Sequence, residues 1–121
     1  MSDSVNWPGS LNAVDQIFKF LKLKYRKIDD DGVDTVFGAK VDKHTLLCLV
    51  VDASLPNALW IEFFDKIRGQ RTSSWGVKDC SKLQLDKELG GNIKRVIITA
   101  KDRQVALIQR KEGKNYIYTI E

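Results

Sequence analysis

Two strand-like stretches on either side of a polar turn dominate the hydrophobic pattern of this chain. Residues 33–41 are half polar, whereas Thr45–Val51 is apolar on both faces and stops at Asp52. A run apolar on both faces belongs in the middle of a sheet, so the pair predicts a central hairpin. Upstream, Leu11, Val14, Ile17, Phe18, Leu21 and Tyr25 recur at helical spacing behind Ser10, a candidate N-cap. Asp15, Lys19, Lys22 and Arg26 form a second arc, and Phe20 and Leu23 lie off the apolar one. A short strand over 24–28 and a turn through Asp29-Asp30-Asp31-Gly32 lead into the hairpin, with Gly32 free to take positive φ. The three acids lack the alternate spacing and closing Glu of a calcium loop and read as a solvated turn.

Beyond the hairpin, Leu59, Trp60, Phe63, Phe64 and Ile67 collect in one helical arc, with Glu62, Asp65 and Lys66 opposite and Gly69 as a stop. This spacing predicts a second helix over 58–68. Residues 69–81 read as the longest loop. Ser81 and Gln84 at capping-box spacing favour a short helix over 81–89, with a strand through Leu83 and Leu85 as the alternative. Ile93–Ala100, Gln104–Lys111 and Asn115–Ile120 are β-rich and separated by polar turns, which predicts a three-stranded antiparallel meander. Residues 1–10, without periodicity, read as a flexible arm. The expected architecture is α+β: one domain over 11–121, a largely antiparallel sheet of about five or six strands, an N-terminal helix and a second helix after the central hairpin.

Length and composition keep this picture within one ordinary domain. The 121 residues are 43% hydrophobic and 30% charged, a globular rather than a disordered balance. No apolar run reaches the ~18 residues that cross a bilayer, and the N-terminus lacks a basic-then-apolar leader, so a cytoplasmic protein with no membrane partner is expected. Cys48 lies inside the apolar strand and reads as a small core hydrophobe; with Cys80 it makes no disulfide framework. The net charge of +4 is unevenly placed. Residues 1–56 hold 7 Lys or Arg against 8 Asp, and residues 57–121 hold 13 against 8 acids, so the excess belongs to the C-terminal half.

Several chemistries are missing from the sequence. There is no glycine-rich phosphate loop, no dinucleotide fingerprint and no Cys/His cluster at zinc spacing, and neither cofactor nor metal is expected. His44, the single histidine, stands in a turn with no nucleophile near it in sequence, which disfavours histidine-dependent hydrolysis. The acids give one constellation. The order helix, short strand, strand with Asp34, strand ending in Asp52, helix is similar over residues 11–68 to the core of the PD-(D/E)XK nuclease family. That resemblance implies Asp34 as one metal ligand and Asp52-Ala53-Ser54 as the acid-x-Lys unit that orients water at a phosphodiester. Position 54 is serine, which supplies no ammonium; Lys40 and Lys66 are the candidates to take that role. The same order also resembles small secretion-chaperone-type folds that bind peptides, by topology alone.

Two binding surfaces complete the expectations. Arg68, Arg71, Trp75, Lys101, Arg103, Arg110 and Lys111 combine cations with an aromatic, as single-stranded nucleic-acid binders require. Trp7, Phe20, Leu23, Tyr116 and Tyr118 are the candidates for protein contact, the last two on a strand that reads as a sheet edge. The expected function is a non-catalytic binding or adaptor module acting through a protein partner or self-association. Nucleic-acid binding comes second, and a divergent metal nuclease using Asp34 and Asp52 third.

Overall fold

Alternation prevails over helical periodicity through most of the chain. The computed structural model describes residues 2–121. Its elements run β1 (Ser2–Asn6), α1 (Ser10–Phe20), β2 (Tyr25–Asp30), β3 (Asp34–Lys40), β4 (Thr45–Asp52), β5 (Leu59–Asp65), β6 (Gln70–Val77), β7 (Cys80–Lys87), β8 (Ile93–Ala100), β9 (Gln104–Glu112) and β10 (Asn115–Ile120). They form two five-stranded sheets, one ordered β2-β3-β4-β5-β6 and the other β1-β7-β8-β9-β10. Every pairing is antiparallel. We call them the first and second sheets.

One continuous apolar core joins the two sheets through the helix. Leu47, Leu49, Val51, Leu59 and Ile61 come from the first sheet, and Leu83, Val96, Ile98 and Leu107 from the second. Helix α1 adds Ala13, Val14, Ile17 and Phe18 and packs against β4 on one side and β7 on the other. Its buried stripe keeps Val14, Ile17, Phe18 and Leu21 of the predicted arc and widens at the start: Leu11 is 62% exposed, and Ser10 and Ala13 are inside. Ser10 does not cap the helix through its side chain. Its hydroxyl instead lies 2.6 Å from the carbonyl of Ala58 and 2.7 Å from that of Pro56, fastening the start of the helix to the loop before β5.

The α+β architecture with two helices is therefore corrected to a mostly β protein with one helix. Residues 58–68 are not helical. Leu59 and Ile61 are fully buried, Phe63 packs against the same core, and Trp60, Glu62 and Phe64 point the other way. Leu59 and Phe63 satisfy both periods, and the β preference of aromatic and branched side chains, with pairing to β4 on one side and β6 on the other, selects the strand. Gly69, φ 68°, closes the β5–β6 turn rather than a helix, and Asp65 Oδ1 accepts the amides of Ile67 and Arg68 there. The favoured helix over 81–89 is strand β7, as the alternative reading had it, and most of the expected loop over 69–81 is β6. That strand is polar because it is a sheet edge, paired only with β5. The stretch read as an arm contains β1, whose five residues are all exposed and pair with β7.

The central hairpin and the C-terminal meander lie where the sequence put them. β4 is the middle strand of the first sheet, and β8, β9 and β10 follow one another in the second. Cys48 and Cys80 are free and buried, and burial pushes each thiol up to about 11, so neither is a thiolate at neutral pH.

Candidate functional site

The acidic pair does meet, but without the chemistry its family likeness requires. Asp34 and Asp52 are direct partners across β3–β4. Asp52 Oδ1 accepts the amide of Ser54 at 2.8 Å and its hydroxyl at 2.7 Å, so this carboxylate is committed to a turn and held below its ordinary range by those bonds. Desolvation, then the charges of Asp31, Asp52 and Glu62, raise Asp34. Lys40 closes the other end of β3, about 20 Å away at the rise of an extended strand. Lys66 follows Asp65, which pairs with Thr45 at the far end of β4 from Asp52. Neither lysine reaches the acids, and the segment that should be the family's second helix is β5. No group of three His, Cys, Asp or Glu that could hold a metal occurs among the described residues.

The basic residues named from sequence do not form one patch. Arg71 donates to Glu62 at 2.9 Å, and Arg68 lies 3.8 Å from Asp65. The Trp75 ring stands edge-on to Phe63, 6.3 Å between centroids, rather than open for stacking. Lys101 and Arg103 flank the β8–β9 turn, whereas Arg110 and Lys111 lie near the opposite end of β9. The protein-contact candidates are also largely tied down. Trp7 Nε1 donates to the Pro56 carbonyl, and Phe20, Leu23 and Tyr118 pack against the core; Tyr116 is 47% exposed.

Four of these residues, Leu23, Lys111, Tyr116 and Tyr118, come together in a place that neither sequence list described. It is a cleft of about 240 Å³ where the end of α1 meets the second sheet, and it also holds Lys22, Lys87 and Lys94. Among the described residues no Asp, Glu, His, Cys, Ser or Arg lines it. The cleft begins where the apolar core ends. Along β7 and β8 the inward face runs Leu83–Ile98, then Leu85–Val96, and then Lys87–Lys94. The last pair continues as Lys94–Gln109 and Gln109–Tyr118, a polar row in register across four strands.

Part of that row closes the helix. Lys94 Nζ donates to the Phe20 carbonyl at 2.9 Å and sits 5.4 Å from the centre of the Phe20 ring. Gln109 Nε2 donates to the Leu21 carbonyl at 3.0 Å and to the Tyr118 hydroxyl at 2.8 Å. A cation at a helix C-terminus answers the dipole and its free carbonyls. Capping accounts for Lys94 and Gln109; Lys22, Lys87 and Lys111 line the rest of the cleft.

Those lysines carry structural costs that converge here. Lys22 has φ 55° in a Schellman turn, with its amide bonded to the Lys19 carbonyl and the Leu23 amide to that of Phe18. Glycine is the residue that adopts this conformation freely, and a side chain there costs about 1–2 kcal/mol. Lys87 and Lys94 stand opposite each other, an arrangement that is destabilising for like charges. Lys94 is only 8% exposed, and burial, then the charges of Lys22 and Lys87, pull its ammonium below the ordinary lysine range. Three local departures from the most stable arrangement therefore meet at one cleft.

The sequence carried one signal for this site. Lys87 and Lys94 flank Gly90-Gly91-Asn92, and in a hairpin with 81–89 as its first strand they become cross-strand partners. Lys22 and Lys111 are brought in only by the fold.

No protein-family model, curated protein or solved structure matches the chain. Fold and site therefore define it by construction: a small two-sheet β protein with one helix and a lysine cleft at the helix end. Among the described residues, no helix is long and apolar enough to cross a membrane.

Proposed function

We propose that this protein is a non-catalytic binding module that holds an anionic group in the lysine cleft. The observation that carries the reading is the convergence of Lys22, Lys87, Lys94 and Lys111 in one cleft that, among the described residues, no acid lines. Such a cleft has a high positive potential, which an anion relieves. Binding rather than catalysis is favoured because no carboxylate, imidazole or thiol stands there to work with the lysines as an acid–base pair.

Inorganic phosphate tests this directly. It should raise the melting temperature above that in sodium chloride of equal ionic strength, because a ligand of the folded state stabilises by mass action. The shift should shrink in Lys22→Gln with Lys111→Gln. Equal melting in phosphate and chloride would overturn the proposal.

Protein association keeps one specific support. β10 is an edge strand, bonded only to β9, with Tyr116 and Ile117 both exposed. An extended segment of a partner could add to that edge. A protein that stays monomeric at high concentration and in which Ile117→Lys changes no association would remove this second reading.

A further inference from the structure

We infer that the ligand of the lysine cleft is a phosphate monoester carried on a planar ring, as in a nucleotide. This rests on the anion-binding reading above and goes beyond it in naming both parts of the ligand. The first part follows from charge and size. Four lysines line about 240 Å³, and among the described residues no acid joins them, which favours a ligand with several negative charges in a small volume. A phosphate monoester brings close to two, whereas a carboxylate brings one. The cleft lining contains lysines and no arginine fork. Ammonium groups are compact point charges that can surround a tetrahedral group from several directions, while the planar fork of arginine matches planar partners.

The second part follows from Tyr116. This tyrosine lines the lysine cleft and also a neighbouring hollow of about 750 Å³, walled by the β3–β4 turn with His44 and by Lys114 and Asn115. It is 47% exposed. The hollow is of the size that ligands occupy, and an exposed aromatic ring is a platform for a base. A group whose phosphate enters the cleft would therefore carry its ring past Tyr116 into the hollow.

The test compares inorganic phosphate, adenosine and adenosine 5′-monophosphate by calorimetric titration. The mononucleotide should bind about tenfold or more tighter than phosphate, the gain expected of one stacked base, and adenosine more weakly than either. Tyr116→Ala should remove the gain of the mononucleotide over phosphate, while Tyr116→Phe should keep it. If phosphate binds but the mononucleotide binds no tighter, or if the gain survives Tyr116→Ala, the planar-ring inference is overturned and the anion site stands. If neither binds, the anion site itself is wrong. A short single strand with a 5′ phosphate separates the two sources of such a group. Tighter binding than the mononucleotide assigns the site to strand ends, and equal or weaker binding assigns it to free nucleotides; both uphold the chemistry.

Discussion

Lys87 and Lys94 are direct partners across the β7–β8 pair, two cations on the inward face of one antiparallel ladder. The Lys87 side chain lies over Gly91, where a Cβ would come within 2.9 Å of its Cε, so the glycine turn lets this lysine fold toward the cleft. Along this face burial passes from Leu83, Ile98 and Val96 to Lys94 within one strand repeat, with Lys87 exposed beside it. That change is the structural origin of the site.

Stability and binding should move in opposite directions at Lys22. Replacing it by glycine relieves the positive φ of the helix-ending turn and removes one cleft charge. Lys22→Gly should therefore stabilise the fold by about 1 kcal/mol in urea titration. The same variant should bind phosphate more weakly. A variant that is both less stable and unimpaired in binding would contradict this account of the turn.

The pH dependence of stability should carry the signature of Lys94. Its folded pKa is depressed by burial and by Lys22 and Lys87, so the unfolded chain binds more protons between that value and the ordinary lysine value of 10.5. Stability should rise with pH through that window and be lowest, as far as this group decides it, below the folded pKa. Tyr118, raised by burial above 10.0, acts in the opposite sense at the alkaline end, where its stabilisation is lost as the pH passes its unfolded pKa. Chemical denaturation across the alkaline range should show the rise in the parent and a flatter profile in Lys94→Met.

Ser10 should behave as a buried fastener rather than a cap. It is 5% exposed, and its hydroxyl faces the carbonyls of Pro56 and Ala58. Ser10→Ala leaves buried acceptors short of a donor and should cost about 1–3 kcal/mol. Urea midpoints at constant m-value would report it.

Two strand glycines should differ in what they tolerate. A Cβ on Gly76 would approach the Trp60 indole at Nε1 to 2.5 Å and at Cδ1 to 2.8 Å, and the rigid ring lies across the glycine. Gly76→Ala should therefore lose about 1–3 kcal/mol by overpacking. A Cβ on Gly38 meets the flexible end of Ile28, which is 42% exposed and can turn away. Gly38→Ala should cost less, and Ile28→Ala should erase its cost.

Asp34 should be a net burden at neutral pH. Desolvation and the charges of Asp31, Asp52 and Glu62 raise its pKa above the ordinary 3.8, so the folded state holds the proton more tightly than the unfolded chain. Stability from this group is present below 3.8 and falls as pH rises through the folded pKa. Asp34→Asn should therefore raise the melting temperature at pH 7, an advantage that disappears in acid. A lower melting temperature at pH 7 would show the carboxylate to be needed there.

The parts of the fold legible in the sequence were those whose pattern admits one periodicity. Thr45–Val51, apolar on both faces, is the middle strand of its sheet, and the final three strands alternate cleanly between short polar turns. The segment 58–68 was not legible because Leu59 and Phe63 satisfy helix and strand spacing alike, and only the pairing of Leu59–Asp65 with β4 on one side and β6 on the other decides between them. The polar edge strand Gln70–Val77 reads as a loop for a similar reason: half of what makes it a strand is its neighbour's hydrogen bonds.

The sequence by itself determined the central hairpin, the C-terminal meander, the single histidine's place in a turn and the excess of positive charge in the second half. The two-sheet architecture and the site were decided only by the tertiary structure. Lys22, Lys87, Lys94 and Lys111 are scattered over ninety positions, and no local rule relates them. They meet because strand register aligns one row of side chains across the second sheet and the core places the end of α1 against it. Periodicity reports which face a residue takes, whereas register and packing decide which faces come together.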